Sequence, residues 1–130
     1  MKTFTLHHPL RWGDLDVMGH LNNTLYFRLL EETRIQWFAA LALPTHNASH
    51  GPILARIDCD FVKPMLYPNT AVIVQNVTQI GNSSLHHSCT IEALAEPGVV
   101  YARSTSVVVW MDYAAGKSAP WPQSVKDLLV

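Results

Sequence analysis

One uninterrupted helical pattern, set among strand patterns, limits what this chain can fold into. From Asn22 or Asn23 no Gly or Pro intervenes until Pro44. At 100° per residue Tyr26, Leu30, Thr33, Trp37, Ala40 and Leu41 share one arc, and Thr24, Arg28, Glu31, Glu32 and Gln36 share the opposite one. An asparagine oxygen accepts an orphan N–H of a first turn, so the helix is expected to start at Asn22 or Asn23 and to end at Leu43-Pro44. Tyr26 and Trp37 read as core, because aromatic side chains bury large areas. Glu31 and Arg34 stand at the i, i+3 pairing distance on a solvated face. Such a helix needs an apolar surface to lie on, and the rest of the chain offers strands.

Thr3 to His8 reads as a short first strand closed by Pro9. After a loop from Thr45 to Gly51 the period drops to two. Ile53, Ala55, Ile57, Cys59 and Phe61 alternate with Leu54, Arg56, Asp58, Asp60 and Val62, which predicts a strand with the first set in a core. Pro64 and Pro68 break it. Thr70 to Ile80, Ser83 to Ala93 and Val99 to Trp110 follow, separated by Gly81-Asn82 and Glu96-Pro97-Gly98, turns short enough to make antiparallel neighbours. From Met111 onward a loop is expected, with Pro122 to Leu128 a short closing helix begun by proline. A strongly twisted antiparallel sheet of five strands can curl around one helix, giving an α+β domain over residues 1–130.

With 130 residues, 48% hydrophobic and 15% charged, the chain suits a single compact domain. A net charge of −1 supplies no basic stripe for nucleic acid or an anionic membrane. No apolar run has the length of a signal peptide or a bilayer span, so a cytoplasmic protein is expected. Cys59 and Cys89 are too few for a disulfide framework and read as reduced core residues.

The unusual chemistry lies in Arg11-Trp-Gly-Asp-Leu-Asp-Val-Met-Gly-His-Leu-Asn-Asn23, immediately before the helix. A helix N-terminus presents unpaired N–H groups and the positive end of the macrodipole, which favour a carboxylate or a reacting carbonyl oxygen. Asp14 reads as a structural aspartate bonded to local backbone, and Asp16 as either a turn aspartate or a functional one. Gly13 and Gly19 are expected to permit tight backbone conformations. His20 either orients a neighbouring group or anchors the loop.

The element order, together with Asp14-Leu15-Asp16-Val17-Met18-Gly19-His20-Leu21-Asn22-Asn23-Thr24-Leu25-Tyr26, resembles the hotdog-fold acyl-CoA thioesterases of the 4-hydroxybenzoyl-CoA thioesterase family. Lys63-Pro64 and the turn Gly81-Asn82-Ser83-Ser84 are also similar to family positions. The likeness spans nearly the whole chain. It implies that Asp16 is the catalytic carboxylate and that the backbone N–H of Asn23 polarises the thioester carbonyl, with Gly19, His20 and Asn22 supporting them. Substrate contacts would fall to Tyr26, Lys63, Ser83, Ser84 and Arg103. No cofactor is implied beyond the coenzyme A of the substrate, and the partners would be a small acyl thioester and further copies of the chain in a homodimer or homotetramer.

A thiol leaving group of pKa about 8.5 needs less proton help than an alkoxide, so a weakly basic carboxylate suffices. Asp16 would attack the carbonyl carbon or deliver a water to it. The third turn lacks the Arg or Lys with which some family members grip nucleotide phosphates, leaving Lys63, Arg103, Arg56 and Lys117 as basic candidates. The alternatives are a non-catalytic acyl-thioester binding module and a thioesterase for carrier-protein substrates. A hotdog dehydratase is disfavoured, because the motif centres on an aspartate. His46-x-x-x-His50 lacks an accompanying Glu or Cys pair for a metal, no Gly-x-Ser-x-Gly elbow is present, and His86 and His87 point to opposite faces of a strand, where they would decorate the sheet.

Overall fold

In the computed structural model residues 1–44 and 48–130 are described; the expected loop from Thr45 and the His46 part of the histidine pair lie outside them. The long helix, α1, spans Asn23–Ala40. Asn22 is its N-cap, its side-chain oxygen accepting Thr24 N–H at 3.0 Å and Thr24 Oγ1 at 2.8 Å. The helix stops short of Leu43, because Ala42 turns into the left-handed region at φ 54°. Ala42 N–H then donates to Ala39 O and Leu43 N–H to Phe38 O, the pair of bonds that closes a Schellman end. The expected Glu31–Arg34 pair does not form. Glu31 meets Arg28 at 3.2 Å instead, while Arg34 turns inward and is only 6% exposed.

Strands β1 (Thr3–Pro9), β2 (His50–Phe61), β3 (Thr70–Ile80), β4 (Ser84–Ala93) and β5 (Val100–Asp112) form an antiparallel sheet in the order β1-β3-β4-β5-β2. A sixth strand, β6 (Lys117–Ser118), extends β5 where a plain loop was expected. Residues Gln123–Leu128 form α2, with Pro122 as its N-cap rather than its first helical residue. α1 joins β1 to β2, which lie on opposite edges of the sheet.

The alternation read for β2 holds for Ile57 and Cys59, which pack half-buried against the core, and fails elsewhere along the strand. Ile53, Leu54 and Phe61 are all exposed, and the pairing with β5 slips between Leu54 and Arg56. A bulge at Ala55 reverses which side chains face which way beyond it, and an edge strand has a neighbour on one side only. By contrast β4 alternates throughout, β3 does so as far as Val77 and β5 from Ala102, burying Ala71, Ile73, Leu85, Ile91, Ala102 and Val108 completely or nearly so. Full burial of the larger of these side chains contributes about 1.5–3 kcal/mol each.

These inward residues pack in two apolar clusters along α1. Leu21, Tyr26, Leu29, Leu30, Met65 and Ile73 belong to the one at its N-terminal end, and Trp37, Leu41, Leu85, Trp110, Trp121 and Leu129 to the other. Between them the sheet turns polar, with Gln75, His87, Ser104 and Ser106 all buried. His87 therefore does not decorate the sheet as expected: its face of β4 is the one that packs beneath α1, where its ring meets the Trp37 ring at 5.8 Å. Both cysteines are free. Burial pushes the Cys89 thiol up to about 12 and the half-buried Cys59 thiol up to about 11, with Asp60 and Asp58 adding to the latter. Neither forms a ready nucleophile at neutral pH.

Candidate active site

The segment before α1 is held at both ends. Trp12–Asp14 makes a 3₁₀ turn, and the buried Asp14 carboxylate accepts Arg11 N–H at 2.9 Å and the Arg11 guanidinium at 3.1 Å, with His8 Nε2 at 3.5 Å. Burial opposes ionisation of Asp14, yet the donors from Arg11 and His8 outweigh it and hold its pKa below the ordinary carboxylate value. Asp14 is bonded to local backbone, as the sequence implied. Asn22 N–H donates to Asp14 O at 2.9 Å and Leu21 N–H to Met65 O at 2.8 Å, which pins the approach to the helix.

Between these anchors the chain doubles back through Asp16-Val17-Met18-Gly19-His20. Asp16 N–H donates to His20 O at 2.7 Å and Gly19 N–H to Asp16 O at 3.0 Å. Gly19 takes φ 76°, a conformation that L side chains rarely adopt, whereas Gly13 lies in the 3₁₀ turn without a positive φ and needs no such freedom. Asp16 Oδ1 closes the turn by accepting Met18 N–H at 2.9 Å and His20 N–H at 3.1 Å. One carboxylate oxygen of Asp16 thus serves the turn, and among the described residues the other has no partner.

Asp16 and Asn23 line the same cavity, about 220 Å³ in volume, together with His20, Leu21, Tyr26, Phe61, Lys63 and Pro64. Asn23 is the first residue of α1, and among the described residues its N–H has no acceptor. A residue bearing a carboxylate and one bearing an unpaired helix N-terminal donor therefore line one space. His20 lines the cavity as well, and its backbone N–H serves the Asp16 turn. Asn22 acts through the cap that fixes the first turn. The Tyr26 hydroxyl is pushed above its ordinary pKa by burial, so it stays protonated in the neutral range.

Other expected contacts are arranged differently. Lys63 reaches the cavity rim, but its ammonium pairs with Glu96 at 3.3 Å and sits 4.9 Å from the centre of the Tyr101 ring. Glu96 raises its pKa and also accepts the Tyr101 hydroxyl. Arg103 lies on the exposed face of β5 opposite Asp60, away from the cavity lining. Ser84 begins β4 and Ser83 directly precedes it, while the cavity lies toward the cluster that holds Ile91 seven residues on from Ser84, roughly 20 Å along the strand. Within one chain neither serine joins Asp16. Phe61, by contrast, was read as core: it is 47% exposed and walls the cavity, edge-on to Tyr26 at 5.2 Å and to Phe27 at 6.2 Å. The signal available was its place as the last strand residue before Lys63-Pro64.

The family model of the thioesterase-like superfamily matches residues 10–129. The chain belongs to the thioesterase-like superfamily. Among solved structures, the PA2801 protein of Pseudomonas aeruginosa, named as a candidate thioesterase, is 35% identical with a TM-score of 0.92, covering 98% of each chain. A thioesterase of Thermus thermophilus solved with coenzyme A and zinc is 25% identical, with a TM-score of 0.82 and coverage of 97% of this chain and 96% of that one. The uncharacterised YsmA protein of Bacillus subtilis strain 168 is 27% identical over 123 residues, 93% of this chain and 81% of its own length. The six-stranded sheet and single long helix of this superfamily member form the hotdog arrangement. Among the described residues no three His, Cys, Asp or Glu stand together as a metal set, and no helix is long and apolar enough to cross a membrane.

Proposed function

We propose that the chain hydrolyses an acyl-CoA thioester, with Asp16 as the catalytic carboxylate and Asn23 N–H as the oxyanion donor. The observation that carries this reading is their shared cavity at the start of α1. The two backbone N–H groups on Asp16 Oδ1 fix the carboxylate and leave Oδ2 for the chemistry. In one route Oδ2 attacks the carbonyl carbon, the C–S bond breaks, the thiolate leaves, and water hydrolyses the mixed anhydride. In the other, Asp16 takes a proton from the attacking water. In both, negative charge grows on the carbonyl oxygen, where a preorganised donor is worth about 10²–10³ in rate. The coenzyme A held by the Thermus neighbour supports coenzyme A as the carrier, and the motif from Asp14 to Tyr26 supports kinship with the 4-hydroxybenzoyl-CoA thioesterases.

A cavity of about 220 Å³ is smaller than the 300–1,000 Å³ usual for ligand sites. The far edge of β2 has no neighbouring strand among the described residues, and Ile53, Leu54, Phe61 and Val62 are exposed on or beside it. An unpaired apolar edge of this kind is ordinarily covered. We infer a homodimer joined along β2, itself able to double to a tetramer, whose second copy completes the wall beyond Phe61.

The test is Asp16→Asn, assayed by free-thiol release on a panel of acyl-CoA and carrier-protein thioesters. The kcat should fall roughly 100-fold or more, the scale of a positioned base. Melting temperature should hardly move, since Asn keeps the Oδ1 acceptor. A fully active Asp16→Asn protein removes this mechanism and leaves the non-catalytic binding module ahead. Solvent ¹⁸O appearing in the Asp16 carboxylate after a single turnover would select the anhydride route. A stable 14.5 kDa monomer by light scattering would overturn the dimer.

A further inference from the structure

The polar layer between the two apolar clusters lacks partners for its own atoms. Arg34 Nη1, Gln75 Nε2, Ser104 Oγ and both ring nitrogens of His87 are buried without a hydrogen bond among the described residues. The four residues converge. Gln75, Cys89 and Ser104 are register neighbours across β3, β4 and β5, and His87 lies two residues along the same inward face of β4. The Cys89 thiol reaches Gln75 Oε1 at 3.9 Å, which turns the Gln75 amide nitrogen elsewhere. From α1, Arg34 lies close enough for its charge to act on both His87 and Cys89.

Every unpartnered group in this layer can donate. The guanidinium and the amide nitrogen only donate, the hydroxyl donates, and a neutral imidazole has one N–H. Among the described residues no carboxylate bonds to the Arg34 guanidinium. Glu31, whose charge acts on it from one turn earlier, pairs with Arg28 at the surface, and Asp14, the buried carboxylate, is engaged with Arg11 and His8. Nη1 itself is sealed from solvent, so whatever meets that nitrogen lies inside the chain. A buried cation without a bonded counter-charge is among the least tolerable arrangements in a protein interior.

We propose that this layer binds a small monovalent anion, such as chloride, between Arg34, Gln75, Ser104 and His87. The anion neutralises the guanidinium and accepts from the neighbouring donors, and Trp37 closes the layer on the His87 side. Water would satisfy the donors but leave the charge uncompensated. The site is separate from the Asp16 cavity and independent of its proposed chemistry.

The experiment follows the melting temperature of the intact protein in sodium chloride against sodium gluconate at matched ionic strength. A saturable rise is expected in chloride, about 5 °C at ten times the dissociation constant for a chain of this length. The difference between the salts should vanish in Arg34→Leu and shrink in Gln75→Leu. An equal difference in wild type and Arg34→Leu would assign it to the surface and overturn the proposal, as would no difference in wild type. If Arg34→Leu does not fold, native crystals soaked in sodium bromide decide. An anomalous peak within hydrogen-bonding distance of Arg34 Nη1 supports the site, and none there overturns it.

Discussion

His87 makes the stability of this fold depend on pH in a window that few other groups share. The residue is 2% exposed, its ring packed on Trp37, and its pKa is pushed down to about 4 by burial first, then by the charges of Arg34 and His86. In the unfolded chain a histidine titrates near 6.5. Between those values the unfolded state binds a proton that the folded state refuses, so stability is full above pH 6.5 and is lost as pH falls toward 4. Integrating that difference from pH 7 to pH 5 gives a loss of about 2 kcal/mol, and about 3 kcal/mol once both values are passed. Urea unfolding at pH 7 and pH 5 in chloride-free buffer, for wild type and His87→Met, measures it. The wild type should lose about 2 kcal/mol more than the variant, since other titrating groups are common to both. Equal losses, or a His87 NMR titration centred near 6.5, would refute the argument.

Three further outcomes follow from single positions. Ala42→Gly should stabilise by about 1 kcal/mol in thermal unfolding, because the left-handed end of α1 strains a side chain but not glycine. Gly19→Ala should cost about 1 kcal/mol although its new Cβ meets no atom within 4 Å, and should lower kcat by tilting the Asp16 turn; Gly19→Asn, which tolerates φ 76°, should retain more of both. Glu96→Gln loosens the hold on Lys63 at the cavity rim, so KM for acyl-CoA should fall at low ionic strength with kcat unchanged, and the gain should disappear in high salt. An unaltered KM would show that Lys63 does not meet the coenzyme A phosphates.

The architecture was legible wherever periodicity and punctuation agreed. Asn22 as cap, the uninterrupted run to Ala40, and the alternation of β4 and of β3 as far as Val77 are local signals, and each produced its element within a few residues. The early end of α1 was not readable, because a Schellman end usually announces itself with glycine and here Ala42 occupies that position. The exposure of β2 was equally hidden. Its alternation holds for Ile57 and Cys59, but a single bulged residue at Ala55 puts Ile53 on the opposite face, and nothing in the residues around it marks a bulge.

At the site, legibility divides between backbone and side chain. Residues whose roles depend on backbone within the same short segment could be placed, because Asp16, Gly19, His20, Asn22 and Asn23 all lie within eight positions and one turn organises them. Residues that must arrive from other strands could not. Phe61 joins the cavity only because β2 runs along the outer edge past Tyr26, and Lys63 is claimed by Glu96 from a turn 33 residues away. The polar layer shows the same limit. Gln75, His87, Ser104 and Arg34 each occupy an unremarkable place in their own segment. Their meaning appears when three strands in register bring them beneath one helix and leave a buried positive charge to be answered.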